Sequence, residues 1–158
     1  MNKNILFLAL SLLVFSCKHS KTETLKGTLY FKSIGFSSFY GMTKIEQQQF
    51  ENSLETIKND NNSTATNKEM ILYFDTIKAL NLSTFPTVKI QDSEGVIHTV
   101  FLDSTAYDKL KNYRLDNLLS RKSKVAVTLE VLDHGNNILF SDKINSIQEI
   151  PGTTPSHK

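Results

Sequence analysis

The sequence predicts an α+β domain: a five-stranded antiparallel barrel with a helical-hairpin insertion after strand 1 and a helix between strands 3 and 4. Residues 124–132 alternate apolar and polar side chains, which is typical of a half-buried strand. Two Thr-x-x-Glu signatures, Thr43 with Glu46 and Thr66 with Glu69, indicate helix starts between strand-like segments. Turn residues separate the remaining strands. An open antiparallel sheet packed on helices is the alternative architecture.

The first strand is predicted at residues 25–34, and an unusual loop follows it. Between two glycines, residues 35–41 hold three aromatic side chains, Phe36, Phe39 and Tyr40. These rings are the candidate partner-binding residues, because an aromatic loop beside a barrel can dock a peptide, a glycan or a protein. In the alternative interpretation they fill the seam between the barrel and the helical hairpin.

The insertion at residues 43–81 is predicted to be two antiparallel helices. Apolar side chains recur at helical spacing in 43–58 and again in 67–80. Residues 70–74 also alternate apolar and polar side chains, so a strand is the competing interpretation there. The second Thr-x-x-Glu signature favours the helix.

A β-hairpin and a third helix follow the insertion. Residues 88–92 and 96–102 are predicted strands, joined by a turn that contains a glycine. Thr105 and Asp108 are placed to begin a helix that runs to about residue 120.

Two strands complete the domain, which is predicted to span residues 25–150. The strand at 124–132 turns through 133–137 into a last strand at 138–150. That strand is predicted to bend, because its apolar side chains change phase. Residues 151–158 form a frayed tail. Without the insertion the order is β-β-β-α-β-β, which resembles the OB-fold, a five-stranded, partly open barrel.

The leader has the features of a secretory signal peptide. Lys3 is followed by an apolar stretch that is too short to span a membrane. The four residues Val14-Phe15-Ser16-Cys17 then resemble the lipobox of bacterial lipoproteins. This resemblance implies cleavage after residue 16, a signal peptide at 1–16 and lipidation of Cys17 with fatty chains such as palmitate.

The lipobox resemblance also implies where in the cell the protein is located. Cys17 is the only cysteine, so no internal disulfide can form. Residues 17–24 are expected to be the lipidated Cys and a polar tether. Because no acidic run follows Cys17, the periplasm-facing side of the bacterial envelope is expected. The mature part is similar to small uncharacterised envelope lipoproteins, which implies no particular activity.

Charge and motif spacing exclude several functions. The chain has 18 Lys+Arg and 16 Asp+Glu, and the leader removes one lysine, so no basic field for nucleic acid remains. The histidines are far apart, and neither a metal site nor a cofactor site is predicted. No set of catalytic residues is recognisable. Turn and capping roles are expected for the acidic side chains Asp92, Glu94, Asp103 and Asp108.

The sequence therefore predicts a membrane-anchored, non-enzymatic binding or scaffolding module. The membrane is expected as one partner, through Cys17, and a protein or envelope component as the other. Two alternatives stay open. One is an envelope hydrolase whose site is assembled from distant residues, and the other is an immunity-type protective lipoprotein.

Overall fold

The described residues form five strands and three helices. A computed structural model describes residues 21–30, 37–60, 63–111, 113 and 123–151. In chain order the elements are β1 (Lys21–Leu29), α1 (Lys44–Lys58), α2 (Ala65–Ala79), β2 (Thr87–Gln91), β3 (Ile97–Leu102), α3 (Ser104–Leu110), β4 (Lys124–Asp133) and β5 (Leu139–Ile150). The predicted order of strands and helices is confirmed.

The strands close into a barrel in the order β1-β2-β3-β5-β4. Four of the five pairings are antiparallel, but β3 and β5 are parallel, with Val100 opposite Leu139 and Leu102 opposite Ser141. The prediction of an antiparallel barrel is therefore wrong at this pairing. The reason is geometric: strand direction cannot alternate all the way around a closed ring of five strands, so one neighbouring pair must run the same way.

One hydrophobic core fills the barrel. Val125, Val127, Leu129 and Val131 point inward and are buried, as the alternation of β4 predicts. The short helix α3 adds its buried side to this core, so it closes the barrel on one side. The buried residues of this core are Ile90, Val100, Leu102, Ala106, Leu110, Val125, Val127, Leu129, Val131, Leu139 and Ile144.

A second hydrophobic core lies between the barrel and the helical hairpin. Phe101 alternates with the inward-facing Val100 and Leu102, so its fully buried ring lies on the other face of β3. There it packs with Ile138 and with side chains from the insertion. The buried members of this seam core are Phe39, Phe74, Ile77, Leu82, Phe101 and Ile138.

The first strand differs from the prediction at both ends. It begins at Lys21, inside the predicted tether, because Lys21 to Thr24 pair with the end of β4 from Asp133 to Glu130. It ends at Leu29 rather than at residue 34. Residues 31–36 lie outside the described residues. The tether prediction thus extended too far along the chain, since a run of polar side chains also suits an exposed strand.

Two helix starts also differ from the prediction. Residues 65–79 are helical rather than extended, but the N-cap is Thr64, whose side chain accepts a hydrogen bond from the amide of Asn67. The predicted Thr66 signature is thus inside the helix. Likewise the N-cap of α3 is Asp103, which accepts from the Ala106 amide at 2.6 Å. The helix ends at Leu110, and residues 114–120 of the predicted helix lie outside the described residues.

The β2–β3 hairpin and the bend in the last strand are confirmed. The hairpin turns at Gly95, which has a φ of 86°. The pairing of β4 with β5 shifts register twice, near Leu129 and near Leu132, which accounts for the change of phase in β5. Among the described residues, none of the helices is both long and apolar enough to cross a membrane.

Candidate functional site

The described part of the aromatic loop, residues 37–42, has one ring inside and one ring outside. Phe39 is 3% exposed and lies in the seam core. Its ring stacks on Phe74 with a centroid distance of 5.6 Å and meets the edge of Phe50 at 5.8 Å. The structure therefore gives Phe39 the core role that the sequence left open. Its neighbour Tyr40 is 51% exposed.

Hydrogen bonds hold this loop against α2 and against the segment that follows it. The Phe39 amide donates to the carbonyl of Ser83 at 2.6 Å, and the Met42 amide donates to the carbonyl of Phe39 at 3.0 Å. The Tyr73 hydroxyl donates to the carbonyl of Ser37 at 2.8 Å. Burial raises the pKa of Tyr73 to about 12, so this hydroxyl stays protonated and donating over the physiological range. These hydrogen bonds thus fix the position of the loop relative to the helical hairpin.

Tyr40 rests on the barrel domain through a second aromatic contact. Its ring meets Tyr107 of α3 edge to face, with a centroid distance of 5.3 Å and an angle of 68° between the rings. Edge-to-face pairs of this kind contribute about 0.5–1.5 kcal/mol beyond the buried area. About half of the Tyr40 surface is therefore exposed and available to a partner, while the contact with Tyr107 fixes the orientation of the ring.

The first turn of α1 extends the exposed apolar surface along the chain. Ile45 is 70% exposed, and it follows directly after the N-cap Thr43 and Lys44. The Glu46 carboxylate accepts from the Thr43 amide at 2.8 Å and from the Thr43 hydroxyl at 2.8 Å. These two hydrogen bonds lower the pKa of Glu46, the one from the backbone amide more. The predicted capping box is confirmed, and it holds Ile45 in an exposed position.

A groove on the helical hairpin borders the same aromatic cluster. It has a volume of about 440 Å³. Its lining includes Phe50 and Phe74, the two rings that pack on Phe39. The complete lining is Phe50, Thr66, Glu69, Met70, Tyr73 and Phe74.

His98 forms the one close pair of a histidine with a carboxylate in the described ranges. It lies opposite Ile90 and so faces the barrel interior, 20% exposed. Its Nε2 is 2.7 Å from Oδ2 of Asp92. Asp92 Oδ1 accepts from the amides of Glu94 and Val96, both at 2.9 Å. The hydrogen bond from His98 is the main cause of a lowered pKa of Asp92.

The remaining acidic candidates have structural roles. Asp103 caps α3, and Asp108 forms a surface pair with Lys111 at 3.2 Å. Across the residues that the structure describes, no three His, Cys, Asp or Glu side chains are grouped so that they could hold a metal ion. In the same part of the chain every buried side-chain nitrogen and oxygen has a hydrogen-bond partner. Turn, capping and pairing roles thus account for the carboxylates of Asp92, Asp103 and Asp108.

Two of the predicted site residues, Cys17 and Phe36, lie outside the described residues. The exposed Ile45 and the contact of Tyr40 with Tyr107 were not predicted. Tyr107 packs against the barrel core from α3, and no local pattern shows that a loop before α1 also contacts it. The exposure of Ile45 had a signal, because Ile45 falls off the apolar stripe of its helix.

Comparison with known proteins leaves the site geometry as the main guide to function. Neither a scan against protein-family models nor searches of curated proteins and of solved structures found a match to this chain.

Proposed function

We propose that this protein is a membrane-anchored envelope lipoprotein that acts as a non-enzymatic binding or scaffolding module. Its barrel is proposed to be OB-like. The closed strand order β1-β2-β3-β5-β4 and the position of α3 between β3 and β4 support this assignment. A rigid barrel of this type is a common platform for loops that bind partners.

The anchor is proposed at Cys17, on the lipobox resemblance of Val14 to Cys17. Changing Cys17 to Ala should leave an uncleaved precursor that incorporates no labelled palmitate, while the unaltered protein is cleaved and labelled. Normal cleavage of the Cys17→Ala variant would exclude a lipoprotein anchor.

One observation carries the binding role: the fixed loop buries Phe39 and presents Tyr40 half-exposed on the ring of Tyr107. A half-exposed tyrosine held in one orientation can add the exposed part of its ring to an interface at a low cost in conformational entropy. Ile45 adds exposed apolar surface five residues further along the chain. Tyr40, with the exposed part of its loop, is the proposed contact for a partner protein or another envelope component.

In-cell photo-crosslinking tests this role. A photoreactive amino acid is placed at Tyr40 and, as a matched control, at Leu72, an exposed apolar residue on α2. We expect one dominant crosslinked adduct with an envelope component from position 40 and none from position 72. An excess of the same protein without the photoreactive residue should reduce this adduct. The same adducts from both positions, or none from position 40 in a folded and anchored protein, would overturn the role of Tyr40.

A further inference from the structure

The short chain between the proposed anchor and the barrel keeps one end of the barrel near the membrane. Four residue steps separate Cys17 from Lys21, which is already paired in β1 opposite Asp133. A fully extended chain spans at most about 3.5 Å per residue, so these steps cover at most about 14 Å. The nine residues of β1 alone span about 30 Å. The start of β1 therefore cannot move far from the lipid surface.

The strand directions give the barrel two distinct ends. Because β2 and β4 run antiparallel to β1, both of them end where β1 begins. β3 and β5 run in the same direction as β1, so both of them begin there. The β2–β3 turn at residues 92–96 and the β4–β5 turn at residues 134–138 therefore share one end with Lys21, and we call it the anchored end. We call the opposite end, where β1 and β3 end and β2 and β4 begin, the far end.

The register around the ring shows how far along the barrel each strand lies. Opposite residues lead from β1 through β4, β5 and β3 to β2. The residues met in turn are Lys21, Asp133, Leu139, Val100 and Val88. Val88 lies beyond the β2 residue that pairs with Leu29, so the path returns to β1 about ten residues further along than Lys21. Each of the five steps thus rises toward the far end by about two residues of strand. Leu102, the end of β3, is therefore about as far along the barrel as Leu29, the end of β1.

Two independent contacts place the Tyr40 loop at the far end. Tyr40 rests on Tyr107 of α3, the helix that directly follows the end of β3 and packs its buried side on the barrel core. The amide of Phe39 donates to the carbonyl of Ser83, which lies shortly before the start of β2. Because β3 ends and β2 begins at the far end, Tyr40 lies there. Eight residues of tilted strand separate that end from Lys21, which is about 15–20 Å along the barrel axis.

The anchored end is mainly polar. The β4–β5 turn exposes Asn136 and Asn137, and the β2–β3 turn exposes Ser93 and Glu94. Val96, after this turn, is also exposed, but it follows the charge of Glu94 closely in sequence. These side chains suit a hydrated headgroup layer, because polar and charged groups are costly to move into hydrocarbon. The anchored end can therefore stay close to lipid without inserting into it.

The surface beside Tyr40 has the composition of a contact between proteins. Exposed apolar surface marks contacts with proteins or with membranes, and the distance of Tyr40 from the anchor favours a protein. Ile45 is 70% exposed, and the charged side chains of Lys44 and Glu46 on either side of it are exposed as well. An apolar centre with a polar rim is typical of protein interfaces, in which tyrosine is enriched.

We infer that the far end of the barrel is directed away from the anchoring membrane and that the Tyr40 surface binds a protein domain in the aqueous layer. This rests on the proposed lipid anchor at Cys17 and on the proposed binding role of Tyr40, and it names the class of partner. Anchoring and binding then use opposite ends of the barrel, so neither blocks the other.

Lipid quenching of a fluorophore at two positions tests the orientation. Acylation of Cys17 leaves an added cysteine as the only free thiol for labelling. Ser93→Cys reports on the anchored end and Lys44→Cys on the far end beside Tyr40, and both positions are exposed. The lipidated full-length protein is reconstituted into vesicles of phosphatidylethanolamine and phosphatidylglycerol that contain a headgroup-region spin label.

We expect quenching at position 93 to exceed that at position 44 by about twofold or more, because the headgroup layer is only about 5–8 Å deep. Equal quenching at the two positions would mean that the barrel lies on its side or tumbles freely, and stronger quenching at position 44 would mean that the Tyr40 surface faces the lipid. Either result would overturn the inference.

Photo-crosslinking in cells tests the class of partner. A photoreactive residue at position 40 should give an adduct with a protein, whereas the matched control at position 93 should give adducts with phospholipid. Mass spectrometry distinguishes the two by the added mass. Phospholipid as the main adduct of position 40, or its absence from the adducts of position 93, would contradict the proposed orientation.

Vesicle flotation separates this failure from a failure of the proposed function. If the lipidated protein does not float with vesicles, the anchor itself is wrong. If it floats without preferential quenching at position 93, while position 40 still crosslinks to one protein in cells, the anchored binding module stands and only its orientation is wrong.

Discussion

Asp92 and His98 connect the two strands of the β2–β3 hairpin, with 2.7 Å between Oδ2 of the carboxylate and Nε2 of the ring. The other carboxylate oxygen accepts from two amides of the turn, those of Glu94 and Val96. One side chain thus stabilises the turn and holds an inward-facing histidine near the barrel interior. This relationship gives the hairpin a dependence on pH.

Substitution of Asp92 should separate its two roles. An asparagine keeps an oxygen that can accept from the two turn amides but loses the charge beside His98, whereas alanine loses both. We expect the urea midpoint to fall in the order wild type, Asp92→Asn, Asp92→Ala. Equal midpoints for the two variants would show that the turn hydrogen bonds contribute nothing.

The lowered pKa of Asp92 gives the sign of the pH effect. The folded state binds this proton less readily than the unfolded state, in which Asp titrates near pH 3.9. The contribution is therefore present above that value and is lost as the pH falls through the folded-state pKa. We expect the difference in urea midpoint between wild type and Asp92→Asn to shrink from about pH 5 to about pH 2.5. A constant difference would contradict the pairing.

Gly27 is predicted to be intolerant of any side chain. A Cβ at this position would overlap the carbonyl oxygen of Gln91 and would lie 2.7 Å from Cγ2 of Ile90, a core residue. Because a backbone atom cannot move aside as a flexible side chain can, we expect Gly27→Ala to cost about 1–3 kcal/mol in urea unfolding. The neighbouring Lys26→Ala, at an exposed position, serves as the control. A similar loss for both variants would contradict the close approach.

Substitution of the two adjacent rings of the aromatic loop should destabilise the protein to very different extents. Phe39→Ala removes a buried ring from the seam core, and we expect a loss of about 3–5 kcal/mol of unfolding free energy. Tyr40→Ser removes a half-exposed ring, and we expect a loss of about 1 kcal/mol or less. Urea unfolding measures both. If Tyr40→Ser proved as destabilising as Phe39→Ala, Tyr40 would be part of the packed core rather than of the exposed surface.

The start of α2 offers a matched pair of threonines. Thr64 accepts from the Asn67 amide as the N-cap, whereas Thr66 lies inside the helix. We expect Thr64→Ala to cost about 1 kcal/mol and Thr66→Ala to be close to neutral or stabilising, since alanine favours a helix interior. The reverse order would mean that the helix begins at the Thr-x-x-Glu signature.

Tyr73 should stay protonated well above the pH at which a tyrosine in water ionises. Its pKa is raised to about 12, so the folded state resists ionisation and stability falls as the pH rises above the unfolded value near 10. A titration of phenolate absorbance should lose a step near pH 12 in Tyr73→Phe. If that substitution removed a step near pH 10 instead, the Tyr73 hydroxyl would be exposed to water and its burial would be contradicted.

Local patterns in the sequence were sufficient for most of the fold. Alternation in β4, the capping box of Thr43 and Glu46 and the glycine turn of the β2–β3 hairpin are read within a few residues, so each was predicted correctly. Boundaries were less secure, because Thr64 and Thr66 are both plausible N-caps and only packing selects between them. Lys21 to Thr24 look like a tether until β4 provides their pairing partner.

What the sequence alone determined is the alternation of β4, the capping box of Thr43 and Glu46 and the apolar stripes of the helices, because each depends on neighbours along the chain. The tertiary structure decided that β3 and β5 are parallel, that Phe39 is buried while Tyr40 is exposed, and that Tyr40 rests on Tyr107. These outcomes depend on barrel closure and on where the helical hairpin packs. Both bring distant residues together, so no local spacing encodes them.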